Sequence, residues 1–182
     1  VDPEKLIGSL IDGNINVVEI TLRNEVAFKH IELIIKKFPE IKVGVGTVLN
    51  VQQLLNSIEC GVQFAVSPGF EIEVALKANE LNIPYLPGVC SASDIMSLLK
   101  INFNTFKFFP AYSLGGISHL KSLAGPFPNT MFCPTGGINQ LNYKEWLAEK
   151  NVLCIGGSWL APKGFNDYKE INTQWYKVKF SI

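Results

Sequence analysis

Short apolar runs rich in β-branched and aromatic residues recur along the chain. They are "VVEITL" (17–22), "KVGVGTV" (42–48), "QFAVSP" (63–68), "IPYLPG" (83–88), "TFKFFP" (105–110), "MFCPTGG" (131–137) and "VLCIGGS" (152–158), with starts about 20 to 26 residues apart. That period fits one strand plus one helix. Between the runs the apolar spacing lengthens to three and four residues, the pattern of amphipathic helices. Phe28, Ile31, Ile35 and Phe38 follow Asn24, and Val51, Leu54, Leu55 and Ile58 follow Asn50, with Gly61 as a stop. Each asparagine is read as a helix cap.

Repeated βα units with short connections specify a parallel sheet, either open or closed into a barrel. Seven strands are predicted, and a (β/α)8 barrel needs an eighth. Asp2-Pro3 suits the cap and first turn of a helix carrying Leu6, Ile7, Leu10 and Ile11, ended by Gly13. The chain thus opens on a helix, and the first barrel strand is expected before Val1. An open doubly wound sheet is the rival, but its GxGxxG fingerprint is absent after the first strand. The stretch 168–180, with Tyr168, Ile171, Trp175 and Val178 along one side, is expected to form the barrel's final helix.

Composition narrows the class. At 182 residues the chain suits one domain, 1–182, with a substantial core. Lysine plus arginine and aspartate plus glutamate each total 16, so the zero net charge gives no basic footprint for nucleic acid. No apolar stretch has the length of a membrane span and no secretory signal opens the chain. Cys60, Cys90, Cys133 and Cys154 show neither CxxC nor zinc spacing and are read as core thiols of a cytoplasmic protein.

Strand alternation then sorts the side chains by face. Glu19, Thr21 and Arg23 share one face and Val18, Ile20 and Leu22 the other. Thr105, Lys107 and Phe109 oppose Phe106 and Phe108; Val43, Val45 and Thr47 share a face, as do Met131, Cys133 and Thr135. One face is apolar and suited to lie under helices. The other gathers Glu19, Arg23, Thr47, Lys107 and Thr135 toward the C-terminal ends of the strands, where barrels carry their active sites.

Lys107 needs an explanation, because Phe106, Phe108 and Phe109 crowd it and lysine is seldom fully buried. A buried ion pair with Glu19 alone would add little stability. An amine in apolar surroundings, with its ammonium form disfavoured, is instead suited to attack a carbonyl and form a Schiff base. "PTGGI" (134–138) and "IGGS" (155–158) add glycine turns after the last two strands. Such turns present N–H groups to an anion, and in barrels these loops often bind phosphate.

The segments "VVEITLRN", "VGVGTVLN", "FAVSPG", "PYLPGV", "FKFFPA", "FCPTGGI" and "LCIGGSWL" resemble, in order and spacing, the strand motifs of the 2-keto-3-deoxy-6-phosphogluconate (KDPG) aldolase family, which includes 4-hydroxy-2-oxoglutarate (KHG) aldolases. The resemblance runs from about residue 5 to 162. It implies a class I aldolase on a (β/α)8 barrel, a homotrimer working in the Entner–Doudoroff pathway without metal or organic cofactor. It also implies roles: Lys107 as Schiff-base lysine, Glu19 as general acid/base, and Arg23 and Thr47 holding the substrate carboxylate. Pro87 and Phe109 would line the wall beside the reacting carbons, Thr135 would sit beside the substrate, and Gly136, Gly137, Gly157 and Ser158 would receive the phosphate.

This chain departs from the family pattern in two loops. Tyr112-Ser113-Leu114 stands where relatives carry an acidic or small residue, and "VCSAS" (89–93) replaces a threonine-rich turn; both bear on substrate preference. Three other readings compete with a KDPG-cleaving aldolase. A metal-dependent aldolase would need more than His30 and His119. A phosphate-binding isomerase or epimerase would leave Lys107 without a covalent role. A non-catalytic barrel would bind a phosphorylated sugar, and within the aldolase reading the C4-epimeric phosphogalactonate substrate stands beside KDPG and KHG.

Overall fold

The computed structural model describes residues 2–24 and 26–159. The predicted helix over 168–180 lies outside the described residues. Asp2 caps α1 (Pro3–Asp12) as expected, its carboxylate accepting the N–H groups of Glu4 and Lys5 at 3.0 and 3.3 Å. Next come β1 (Val17–Thr21), α2 (Ala27–Lys37), β2 (Lys42–Gly46), α3 (Val51–Glu59), β3 (Phe64–Val66) and α4 (Ile72–Glu80). They are followed by β4 (Tyr85–Leu86), β5 (Gly88–Val89), α5 (Ala92–Leu99), β6 (Thr105–Phe108), α6 (Gly116–Ala124), β7 (Met131–Pro134) and α7 (Tyr143–Leu147).

All strand pairings are parallel, in the orders β1-β2-β3-β4 and β5-β6-β7. The two sheets meet at one strand interrupted by Pro87, which has no N–H to donate. On one side Ala65 N–H donates to Pro84 O and Ser67 N–H to Leu86 O; on the other Lys107 N–H donates to Pro87 O and Phe109 N–H to Val89 O. β4 and β5 are therefore the two halves of the predicted fourth strand, and the ladder runs on through them. The predicted seventh strand is present as two parallel bridges, Phe132 of β7 with Val152 and Thr135, just past β7, with Gly156. This is the (β/α)8 barrel arrangement: successive parallel strands inside, helices outside.

Asn50 caps α3 as predicted, accepting Gln53 N–H at 2.9 Å, and Gly61 leaves that helix at φ +89°. Asn24 does not cap α2. That helix begins from Val26 without a side-chain cap, while the Asn24 carbonyl accepts Ala27 N–H at 3.3 Å in the preceding turn. Gly13 ends α1 at φ −79°, and the left-handed step falls on Asn14 at φ +58°.

The core lies between sheet and helices. Val43, Val45, Ala65, Phe106, Phe108 and Phe132 are buried on the outer face of the sheet, in one cluster with Ile31, Leu54, Val74, Leu98, Leu120 and Trp146 of the helices. Leu54→Ala should cost about 2–5 kcal/mol, whereas Leu141→Ala, at a side chain 93% exposed, should stay within about 0.5 kcal/mol of wild type. Denaturant unfolding midpoints of the two variants check this.

Candidate active site

The register of β6 puts Lys107 opposite Gly88 on one side and Cys133 on the other, so its side chain enters the barrel. Only 8% of that side chain is exposed, and Nζ lies 3.5 Å from Oε1 of Glu19, itself 32% exposed. The attraction at this distance is worth about 5 kcal/mol at an effective dielectric near 20. Removing an ammonium from water costs several kcal/mol, so the pair roughly breaks even. It does more to position two reactive groups than to stabilise the fold. Phe109 supplies a further contact, its ring centroid 5.4 Å from Nζ. Phe106 and Phe108 do not enclose the amine, because alternation sends them outward, where Phe106 meets Phe132 and Phe108 meets Trp146 and His119.

Glu19 owes its position to glycine. β1 pairs with β2 so that Glu19 is opposite Gly44 and Thr21 opposite Gly46. A Cβ on Gly46 would sit 1.8 Å from Glu19 Oε1, and one on Gly44 would sit 2.1 Å from the Phe64 ring. The carboxylate therefore crosses the bare backbone of β2 to reach the lysine. Glycine is depleted in strands unless something approaches closely, so the G-V-G alternation of "KVGVGTV" held a signal for these two residues that sequence reasoning missed.

The expected face for β2 is corrected by the same register. Val43 and Val45 are buried on the outer side with the helices, and Gly44 and Gly46 hold the inner side. Thr47 follows the strand end at φ +62°, where alternation no longer applies. Such a conformation costs a β-branched residue about 1–2 kcal/mol, and a buried chain of hydrogen bonds fixes the backbone beside it. Tyr85 donates its hydroxyl to Ser67 Oγ at 2.8 Å, and Ser67 donates to the Val48 carbonyl at 2.6 Å. Burial pushes the Tyr85 hydroxyl up to about 12, with the Ser67 hydrogen bond pulling the other way. Neither Ser67 nor Tyr85 stood out in the sequence, since both read as ordinary strand residues.

The first glycine turn adjoins the amine through Phe109, because a Cβ on Gly136 would lie 3.3 Å from that ring. Gly136 and Gly137 adopt φ +97° and +77°, conformations that glycine reaches without strain. Asn142 holds the turn, its Nδ2 donating to Gly137 O at 3.0 Å and its Oδ1 accepting Asn139 N–H at 2.8 Å. Thr135 lies against the second turn, with Oγ1 2.4 Å from where a Gly156 Cβ would be. The N–H groups of Gly137 and Gly157 donate to no acceptor among the described residues. Gly137, Gly157 and Ser158 are exposed.

The structure thus gathers Lys107, Glu19 and Phe109, with the first glycine turn against Phe109 and Thr135 against the second turn. Arg23 is exposed in the turn after β1, where its N–H donates to Thr21 O at 2.9 Å, and it makes no ion pair among the described residues. Pro87 is buried and gives the site its carbonyl, which accepts Lys107 N–H at 2.9 Å. Tyr112 is 67% exposed at the mouth, beside Gly137. In the "VCSAS" segment Ser91 and Asp94 form a capping box for α5. His119 is on α6 with Nε2 3.4 Å from Cys90 O, and His30 is on α2. Among the described residues, no group of three or more histidine, cysteine, aspartate or glutamate side chains could hold a metal. Of the four cysteines only Cys133 is in the core; Cys60 is half-buried, and Cys90 and Cys154 are exposed.

Residues 2–174 match the family model for KDPG and KHG aldolases. The KHG/KDPG aldolase of Escherichia coli is 49% identical over 154 residues, 85% of this chain and 72% of the relative. The 2-dehydro-3-deoxy-phosphogluconate aldolase of Zymomonas mobilis is 41% identical over 170 residues, 93% of this chain and 81% of the relative. Among solved structures, KDPG aldolase from Legionella pneumophila, with pyruvate captured as a covalent carbinolamine intermediate, superposes with a TM-score of 0.94 at 42% identity, covering 97% of this chain and 87% of that one. The Zymomonas mobilis enzyme with 3-phosphoglycerate gives a TM-score of 0.92 at 40% identity, covering 96% and 83%.

Ser67→Ala would leave a buried tyrosine hydroxyl and a buried carbonyl without their partner, at a cost of about 1–3 kcal/mol. Ser57→Ala, which removes a hydrogen bond within α3 to Gln53 O, serves as the comparison, and urea unfolding of both should show the larger loss at Ser67.

Proposed function

The chain belongs to the KDPG and KHG aldolase family, and on that premise we propose that Lys107 is the amine of a class I aldolase that cleaves KDPG to pyruvate and glyceraldehyde 3-phosphate. The observation that carries this is the amine enclosed in the barrel with a carboxylate 3.5 Å away. The covalent pyruvate adduct in the Legionella pneumophila relative supports it.

Lys107, relieved of its proton by Glu19, attacks the C2 ketone. Glu19 then protonates the departing hydroxyl, and water leaves an iminium that serves as electron sink. The same carboxylate accepts the C4 hydroxyl proton as the C3–C4 bond breaks. Glyceraldehyde 3-phosphate departs, the enamine is protonated at C3, and water hydrolyses the iminium to pyruvate and the free amine. Arg23 and Thr47 hold the substrate carboxylate, Pro87 and Phe109 line the wall beside the reacting carbons, and Thr135 sits beside the substrate. Gly136, Gly137, Gly157 and Ser158 receive the phosphate, a role that fits the exposed, undonated N–H groups of Gly137 and Gly157. KHG, which lacks the phosphate, would use the same amine without that subsite. A phosphosugar-binding barrel without catalysis would need the glycine turns but not the ion pair.

A single barrel domain is supported by the contiguous core cluster of the described residues. The homotrimer rests on the family resemblance, and light scattering tests it; the cytoplasmic location rests on cysteines that show neither CxxC nor zinc spacing. Among the described residues no helix is long and apolar enough to cross a membrane.

Borohydride added with pyruvate should leave a stable adduct on the peptide holding Lys107, and Lys107→Ala should abolish it. An unmodified, folded wild-type chain would sink the Schiff-base reading. Glu19→Gln should lower kcat by about 10²–10⁴-fold. Gly46→Ala, which pushes the carboxylate aside, should lower kcat on the order of 10²-fold while unfolding near the wild-type midpoint.

A further inference from the structure

Two cysteines that the proposed chemistry does not use lie side by side beneath the site. Asn151 O accepts Phe132 N–H at 2.8 Å, Phe132 O accepts Leu153 N–H at 2.9 Å, and Pro134 O accepts Gly156 N–H at 2.9 Å. Between the bridged pairs Phe132 with Val152 and Thr135 with Gly156, residues 153–155 therefore face residues 133–134, and the last strand carries a bulge of one residue. Bulges re-aim side chains. Here Leu153 is 62% exposed, and the Cys154 thiol lies close enough to that of Cys133 for each to shift the other's proton affinity.

We propose that Cys133 and Cys154 are a redox pair that hydroperoxides oxidise to a disulfide joining β7 to the strand after it. Neighbouring strands run about 4.8 Å apart, within the Cα separation of about 4.4–6.8 Å that a disulfide spans. Cys154 is exposed and Cys133 buried, so the outer thiol meets the oxidant and the inner one resolves it. The Cys154 thiolate attacks the peroxide, the O–O bond breaks, and an alcohol or water leaves with one proton, giving a sulfenic acid. Cys133 sulfur then attacks the Cys154 sulfur, the S–O bond breaks, and water carries away the Cys133 proton. The peroxide is reduced by two electrons and the two thiols are oxidised by one each.

Electrostatics fits the division of labour. The neighbouring Cys133 thiol holds the Cys154 thiol down at about 7 against the opposing effect of burial. Cys133 keeps the proton, raised first by the neighbouring Cys154 thiol and then by burial, with Lys107 the facing charge that works the other way. Cys60 and Cys90 are both raised, chiefly by burial and then by the nearby carboxylates of Glu32 and Asp94. The nucleophile is the thiolate, so peroxide should select Cys154.

The inference stands apart from the Schiff-base reading, because its readout is mass and not turnover. Reduced protein is treated at neutral pH with hydrogen peroxide near stoichiometric amounts, alkylated with N-ethylmaleimide, and mapped. Expected are the loss of two of the four alkylatable thiols, a peptide pair linked through Cys133 and Cys154, and recovery with dithiothreitol. Cys154→Ser should lose the cross-link while still trapping pyruvate on Lys107. Oxidation that begins at Cys60 or Cys90, or that drives Cys154 to sulfinic acid with Cys133 still alkylatable, would overturn the proposal.

Discussion

A lysine held almost wholly out of water against a partly wet carboxylate 3.5 Å away is the constraint around which the barrel is arranged. Gain and cost are nearly equal for such a pair, so the fold must fix it by other means. One means is subtraction: Gly46 leaves the space through which Glu19 crosses β2, and Gly44 leaves the space that the Phe64 ring fills. Another is the carbonyl of Pro87, which anchors the backbone of Lys107 itself. Side chains and missing side chains thus share the task of keeping amine and carboxylate in line.

The loops around the pair are built on the same economy. Thr47 sits in a left-handed conformation, and the Tyr85–Ser67–Val48 chain of hydrogen bonds secures the backbone beside it. On the opposite side Asn142 secures the two left-handed glycines. These supports are buried or local, and none carries a charge. Their hydrogen bonds leave the exposed N–H of Gly137 without an acceptor among the described residues.

Much of this was legible in the chain. The strand rhythm locates every strand among the described residues, and the parity of "TFKFF" and "VVEIT" puts Lys107 and Glu19 on one face. Parity misleads at β2 because glycine has no side chain to reveal its face, so alternation alone puts the valines there on the inner side, whereas they are buried on the outer one. The Asn24 cap failed because a backbone turn separates that residue from the first helical position. Neighbours brought together across strands, such as Ser67 with Tyr85 or Cys133 with Cys154, have no local pattern. The bulge that aligns the two thiols arises from the ladder between two strands, and either strand alone conceals it.

The aromatics flanking Lys107 act as a lock and not as its pocket. Phe106 and Phe108 are fully buried among the helices, each worth about 1.5–3 kcal/mol over exposure. A one-residue slip of β6 would turn both into the barrel and Lys107 into the apolar outer layer, losing the burial of two rings and leaving an ammonium without a counter-charge. The penalty for misregister is therefore greatest at the strand that carries the amine. A charged side chain between two large apolar ones, unfavourable as a local pattern, is for that reason a dependable way to aim a lysine inward.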